Sequence, residues 1–398
     1  VKVLQINSVC GIGSTGRIAT DIHAILKEQG HKSYIAFGRE NPINCDSALR
    51  IGNKYDNYKH VTITRIFDRH GFGSKRVTRD FITVLKTLNP DVIHLHNIHG
   101  YYLNIELFFE YLKESNKPVI WTLHDCWSFT GHCTYFDDIG CNKWMSLCHS
   151  CPQKKSYPSS MLLDNSKQNF KIKKEIFTDV KNLKIVTVSK WLRSVVEKSF
   201  LNEYPIKVIE NGIDLNIFKP VYSDFKTKYN IENQYVLLGV ASEWEERKGL
   251  RYFLKLSENL EDNYKIVLVG LNKEQINTLP KNIIGLPKTN NIQELIGIYS
   301  SADIYLNLSV EETMGLTTVE ALACGTPVIV FNATALPEIV DQNCGLVVDK
   351  GDISMLKEAI FTLKSEAITK NSCINRAKLY EKNKKYNQYI NLYTESLL

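Results

Sequence analysis

Residues 306–331, LNLSVEETMGLTTVEALACGTPVIVF, read as strand, acidic loop, glycine, helix, glycine, proline, strand, and this order decides the fold. Residues 316–324 have the pattern of a short helix that Gly325 stops and Pro327 keeps from resuming. Glu312 and Glu320 flank a turn at Met314-Gly315. The turn hands the chain to a helix N-terminus, opened by the amides of Leu316 and Thr317. Free N–H groups and the positive end of the helix dipole favour an anion such as a phosphate there, provided the backbone comes close, which Gly315 permits. Glu320 lies one turn after Leu316 on the same face and reaches back toward that end. One carboxylate in the loop and one in the helix suit a ligand with hydroxyls on either side of a diphosphate. A pair of solvated surface carboxylates is the plain alternative.

The stretch belongs to a series of apolar runs at 235–241, 264–270, 282–286, 303–308, 327–331 and 345–348 that alternate with helical periodicity. An earlier series lies at 1–6, 33–37, 91–96, 118–123 and 183–189. Unbroken apolar strands alternating with helices predict an α/β chain with parallel sheets. Two consecutive series imply two Rossmann-like lobes facing a cleft. Between them, Asn211-Gly212 supplies a positive-φ turn and Pro220 stiffens the exit, marking the crossing. The expected division is 1–215 for the first lobe, with a cysteine-rich insert at 126–151, then 216–378 for the second. A terminal helix, 379–398, crosses back to the first lobe and carries a tyrosine and leucine stripe at Tyr386, Tyr389 and Tyr393 that fits a packed face at least as well as a binding role.

With 398 residues, two or three domains are expected, and 43% hydrophobic with 23% charged residues is an ordinary globular balance. No run of eighteen apolar residues occurs, and the sequence opens on the strand-like VKVLQI without a basic-then-apolar leader. Neither a spanning helix nor a secretory signal is expected, which predicts a cytoplasmic location. The net charge of +6 is uneven: residues 1–185 hold 25 Lys and Arg against 17 Asp and Glu, a surplus of eight, and the remainder carries −2. A basic first half suits peripheral association with an anionic inner-membrane surface or a pyrophosphate-linked acceptor; scattered solubilising lysines are the plain alternative.

Three features of the first half carry chemistry. After the first strand, Gly11, Gly13 and Gly16 form a G-x-G-x-x-G loop entering a helix at 16–29, a dinucleotide-like signal that is weak alone. His94, His96 and His99 stand at a strand end, with alternation placing His94 and His96 on one face, where polar side chains line a cleft more often than they bind metal, and the next strand ends in His124-Asp125. In the insert, Cys133, Cys141, Cys148 and Cys151 read C-x7-C-x6-C-x2-C. Thiolate ligation of a structural zinc by these four would staple a long loop; buried free thiols and disulfides are the other readings.

The whole string from Glu312 to Val328 resembles the donor-site motif of retaining nucleotide-sugar glycosyltransferases of GT-B architecture, family 4. Lys248-Gly249 matches the K-G of that family, and Asn211-Gly212-Ile213-Asp214 with Phe218 and Pro220 resembles its crossing segment. The resemblance implies a nucleotide-diphosphate sugar donor, a glycan or lipid-linked acceptor, a role in bacterial surface polysaccharide assembly, and no nucleic-acid partner. It implies that Lys248 meets the donor diphosphate, that Glu312 holds sugar hydroxyls and Glu320 ribose hydroxyls, and that the loop of Gly13 and Gly16 faces acceptor and donor phosphates. By the same resemblance, His124 touches the donor sugar. The family's arginine five residues before the lysine is Glu243 here, with Arg247 the candidate substitute. No D-x-D metal motif appears, so no catalytic cofactor is expected. A nucleotide-sugar-binding protein that lost turnover is one alternative; an NAD-dependent oxidoreductase, from the first-loop glycines, is the other.

Overall fold

The alternating apolar runs fold as parallel strands buried on both faces. In a computed structural model describing residues 1–366 and 368–398, the chain divides into two units, residues 1–210 with 383–398, and residues 211–382. The first unit holds β1 (Lys2–Asn7), β2 (Lys32–Phe37), β3 (Ala48–Arg50), β4 (Val92–Leu95), β5 (Val119–Leu123), β6 (Leu183–Thr187) and β7 (Ile206–Val208). Their order is β3-β2-β1-β4-β5-β6-β7, and all pairs are parallel. The second unit holds β8 (Tyr235–Val240), β9 (Tyr264–Val269), β10 (Ile283–Leu286), β11 (Ile304–Asn307), β12 (Val328–Phe331) and β13 (Gly345–Val348). They run β10-β9-β8-β11-β12-β13, again all parallel.

Strand order locates the candidate sites. In each sheet the chain winds outward from a central strand, then returns to wind the other way, so neighbouring strand ends send their loops in opposite directions and leave a crevice. These switch points fall between β1 and β4 in the first unit and between β8 and β11 in the second. In the second unit, the loop with Lys248 follows β8 and the loop with Glu312 follows β11.

Apolar side chains from β8, β9, β11 and β12 build the second core with Phe253, Leu256, Leu356 and Ile360 from helices on the sheet. In the first unit Val3, Ile18, Ile22, Val92 and Ile120 pack with Tyr386, Tyr389, Ile390, Leu392 and Tyr393 of the helix Lys382–Glu395. The tyrosine stripe is thus core, and the first unit is assembled from both ends of its sequence. Three elements depart from the sequence expectation. The first helix begins at Gly13 rather than Gly16, and β3 and β7, three residues each and only partly buried, carry no apolar run to announce them. The positive-φ turn expected at Asn211-Gly212 is also corrected, since neither residue adopts a positive φ. Among the described residues no helix is long and apolar enough to cross a membrane.

Candidate active site

The loop leaving β8 ends in a short turn, Glu246–Lys248, followed by Gly249 at φ +76. A Cβ on Gly249 would lie 2.0 Å from the Leu308 carbonyl oxygen, so glycine lets this loop seat against the one leaving β11. The Val310 N–H donates to the Arg247 carbonyl at 2.8 Å and ties the two loops together. Seated this way, Lys248 forms an ion pair with Glu312. Arg247 donates to the Glu311 carbonyl at 3.3 Å and lies 3.9 Å from the second Glu312 oxygen, while its Nε holds Glu245 at 3.0 Å. Glu312 is further fixed by the Ser309 hydroxyl at 3.2 Å. The Thr334 hydroxyl accepts from the Glu312 N–H at 2.8 Å and donates to its carbonyl at 2.6 Å.

Burial and charge compete here. Burial pushes Lys248 below the usual lysine range, and Glu312 restores only part of that loss against the adjacent Arg247. Burial also disfavours the Glu312 carboxylate, but that group faces two cations, whose fields win and hold it below the ordinary glutamate value. The result is a charged triad in a largely water-excluded crevice. The arginine departure has a visible outcome: Glu243 turns outward, 3.7 Å from Lys288 with its side chain three-quarters exposed, and Arg247 is the guanidinium beside Glu312.

Gly315 caps the helix Leu316–Ala323 at φ +85, and no side chain caps that helix start. A Cβ on Gly315 would sit 2.6 Å from Leu336 Cδ2. The Thr317 hydroxyl accepts from Tyr305 at 2.8 Å, and Asn307 reaches Thr318 at 2.9 Å, so the first turn is braced from β11. Glu320 is buried, with the Tyr299 hydroxyl donating to its Oε2 at 3.0 Å. Ser309, Thr334 and Tyr299 were missed by sequence reasoning. Thr334 lies twenty-two positions from the residue it fixes, and no spacing rule connects them.

In the first unit the Gly11 N–H donates to the Gly16 carbonyl at 3.1 Å, closing the glycine loop on itself. The Asn7 side-chain oxygen accepts from the Asn97 N–H at 3.2 Å across the β1–β4 switch point. Beside it runs a chain of imidazoles: Gln5 Oε1 to His96 Nε2 at 3.1 Å, and His96 Nδ1 to His124 Nε2 at 3.1 Å. Burial pushes His124 down to about 4, so its imidazole is neutral at physiological pH. The cleft-lining expectation needs correction for His94, which is wholly buried between Thr122 Oγ1 at 2.8 Å and Tyr393 Oη at 2.6 Å. Alternation put His94 and His96 on one face, but the terminal helix covers His94.

The insert is organised by aromatic packing. Phe136 stacks on Trp144 with ring centres 4.7 Å apart, and Phe129 lies 5.5 Å from Trp144. Lys173 is buried beneath, donating to the Trp127 and Thr130 carbonyls at 2.5 and 2.9 Å, with burial pushing its ammonium down to about 7. The neighbouring Cys151 and burial raise the Cys133 thiol, while Cys133 and the nearby His132 lower Cys151 against its burial. Burial raises Cys148 to about 11, and Cys141 is half-buried. Among the described residues no group of three or more His, Cys, Asp or Glu is placed to hold a metal ion, so this geometry does not assemble the four-thiolate zinc site expected for Cys133, Cys141, Cys148 and Cys151.

Two parallel Rossmann-like units in one chain, with a cation–carboxylate loop pair and a glycine-capped helix in the second, are the GT-B plan. Solved structures share it. A sucrose-phosphate synthase from Thermosynechococcus elongatus superposes with a TM-score of 0.71 at 16% identity over 99% of each chain. HepE of Anabaena, solved with UDP-glucose, gives 0.66 at 13% identity, again over 99% of each. Residues 15–217 match the Glycosyltransferase Family 4 model and residues 222–380 the Glycosyl transferases group 1 model, and the chain belongs to glycosyltransferase family 4. WcaC of Escherichia coli K12, a protein assigned to glycosyl transfer in colanic acid biosynthesis, is 24% identical over 378 residues, 89% of each chain. The N-acetyl-alpha-D-glucosaminyl L-malate synthase of Bacillus anthracis is 24% identical over 92% of this chain and 90% of its own. Family membership removes the oxidoreductase alternative.

Proposed function

We propose that this glycosyltransferase moves a sugar, with retention of anomeric configuration, from a nucleoside-diphosphate sugar to a glycan or lipid-linked acceptor during surface polysaccharide assembly. The observation that carries the reading is the Arg247-Lys248 pair meeting Glu312 at the switch point of the second sheet. The UDP-glucose named with HepE supports the donor class, and the assignment of WcaC supports the product class.

The chemistry follows from charge. As the bond between the sugar and the diphosphate lengthens, positive charge grows on the ring and negative charge on the leaving group. Lys248 neutralises the departing diphosphate with Arg247, and an ammonium with three donors keeps Glu312 while meeting a phosphate oxygen. The amides of Leu316 and Thr317 add the helix N-terminus to the same anion. Glu312, held ionised by its two cations, accepts hydrogen bonds from sugar hydroxyls, and Glu320, braced by Tyr299, does so from the ribose. His124, neutral, serves the donor sugar as hydrogen-bonding partner. These fixed groups stabilise the charge that develops without reorganising, which is the most productive use of a dry crevice.

Incubation with UDP- and GDP-sugars tests the reading through nucleotide release. Release with at least one donor is expected, together with an acceptor product whose anomeric configuration, read by NMR, matches the donor. Lys248→Ala and Glu312→Gln are each expected to lower turnover about a hundredfold. Binding without release in the wild type would favour a sugar-binding protein that lost turnover, which Glu243 at the arginine position suggests; wild-type rates in both variants would sink the assigned roles.

A further inference from the structure

A second cluster lies in the first unit, where the glycine loop after β1 meets the segment between β2 and β3. Cys10 is fully buried and Cys45, half-buried, packs against the small cluster of Cys10, Ala19, Ile35 and Phe37. Backbone contacts hold the two segments together: the Ile43 N–H donates to the Cys10 carbonyl at 3.1 Å, and a Cβ on Gly11 would fall 2.1 Å from the Ile43 carbonyl oxygen. Cys45 Sγ lies 3.8 Å from His23 Nε2. The same nitrogen is 3.3 Å from Asp46 Oδ1, His23 Nδ1 is 2.9 Å from the Ser33 hydroxyl, and Asp46 also takes Lys27 at 3.1 Å. The two thiols alone would be small core residues. His23, buried and held by Ser33 at one nitrogen, presents the other to the more exposed thiol, and an imidazole so placed is what activates a cysteine.

We propose that Cys10 and Cys45 form an oxidisable thiol pair, a modification site that takes hydrogen peroxide as its substrate and closes to a disulfide. The Cys45 thiolate attacks one peroxide oxygen. An S–O bond forms, the O–O bond breaks, and the leaving hydroxide takes up a proton to become water, leaving a sulfenic acid on Cys45. The Cys10 sulfur then attacks the Cys45 sulfur; the S–O bond breaks, water departs with the Cys10 proton, and an S–S bond forms. Two electrons pass from the two sulfurs to the peroxide, which ends as two waters.

The division of labour follows from the surroundings. Cys45 is the more exposed of the two thiols and the one beside His23, which makes it the nucleophile and the fully buried Cys10 the resolving thiol. The neighbouring Cys10 and His23 both favour the Cys45 thiolate against its burial, and His23, Asp46 and Lys27 are the charged or titratable groups around the pair. The disulfide would clamp the loop carrying Gly11, Gly13 and Gly16 onto the segment at 38–47.

Peptide mapping of the peroxide-treated full chain without reduction tests this, with no reliance on glycosyl transfer. The expected product links Cys10 to Cys45 with the loss of two hydrogen atoms. Cys10→Ser should stop at a Cys45 sulfenic acid trapped by dimedone. In the untreated wild type, Cys45 should alkylate with a pH midpoint at least about two units below the ordinary thiol value near 8.5. His23→Gln, checked for native circular dichroism, should raise that midpoint and slow oxidation about tenfold. Oxidation that links Cys133 to Cys151 while Cys10 and Cys45 stay reduced would overturn the proposal, as would an ordinary midpoint for Cys45 in the wild type.

Discussion

Glu312 shows how one side chain serves stability and chemistry together. Its carboxyl sits below the ordinary glutamate value because Lys248 and Arg247 outweigh the cost of burial. The unfolded chain therefore binds this proton more readily than the folded one. The resulting stabilisation is fully present above the unfolded value of 4.5 and disappears as pH falls through the folded value. Glu312→Gln removes that dependence and leaves two cations facing an amide. Urea unfolding at a series of pH values should show a shallower acid limb in the variant, and at neutral pH a loss of about 1–3 kcal/mol, below the 3–5 expected for a broken buried pair because the amide keeps the Ser309 contact. An unchanged acid limb would mean that the pair contributes nothing net. This residue's importance was legible from the sequence, since Glu312 and Lys248-Gly249 stand in recognisable strings. Its partners were not: Ser309 and Thr334 are ordinary loop residues until the β11 and β12 loops are folded over one another.

At the scale of elements, the six strands of the second unit were all legible, since each is a buried apolar run between turn signals. Strand order was not, since which strands neighbour one another depends on pairing across the sheet. That order creates the switch point where the β8 and β11 loops meet. Gly315 joins the β11 loop to the helix Leu316–Ala323: at φ +85 a substituent meets both backbone strain and Leu336. Gly315→Ala should cost about 1–3 kcal/mol in thermal or denaturant unfolding and weaken nucleotide binding by displacing the Leu316 and Thr317 amides. Wild-type affinity in this variant would remove the helix start from the phosphate site. The insert makes the opposite case. Cysteine spacing suggested zinc; in the folded chain Phe129, Phe136 and Trp144 pack the segment over the buried Lys173 ammonium. Strong chelation should leave Trp144 fluorescence unchanged; a spectral shift with release of one zinc per chain would restore thiolate ligation by Cys133, Cys141, Cys148 and Cys151.

For the whole molecule, the helix Lys382–Glu395 reveals that sequence order and structural order differ. A tyrosine stripe reads equally well as a binding face or a packed face, and periodicity alone does not choose. What decides is that Tyr386, Tyr389 and Tyr393 join Val3, Ile18 and Val92 in one core, so the first unit closes only when residues 383–398 return to it. Tyr393 also supplies the partner of His94 Nδ1, a ring that burial keeps neutral and that has Thr122 on its other nitrogen. Tyr393→Phe keeps the ring volume and removes one hydrogen bond from a fully buried imidazole, at a cost of about 1–3 kcal/mol. Removing 383–398 strips five buried side chains from the core, each worth about 1.5–3 kcal/mol of apolar burial, a sum comparable to the stability of a domain. In hydrogen exchange the point variant should weaken protection in β4 and β5 while the second unit keeps its own. The truncated chain should lose the first unit's cooperative unfolding and retain that of residues 211–382. If both sheets lost protection together in Tyr393→Phe, the two units would be one folding unit, and the terminal helix would support the whole molecule instead of the core it completes.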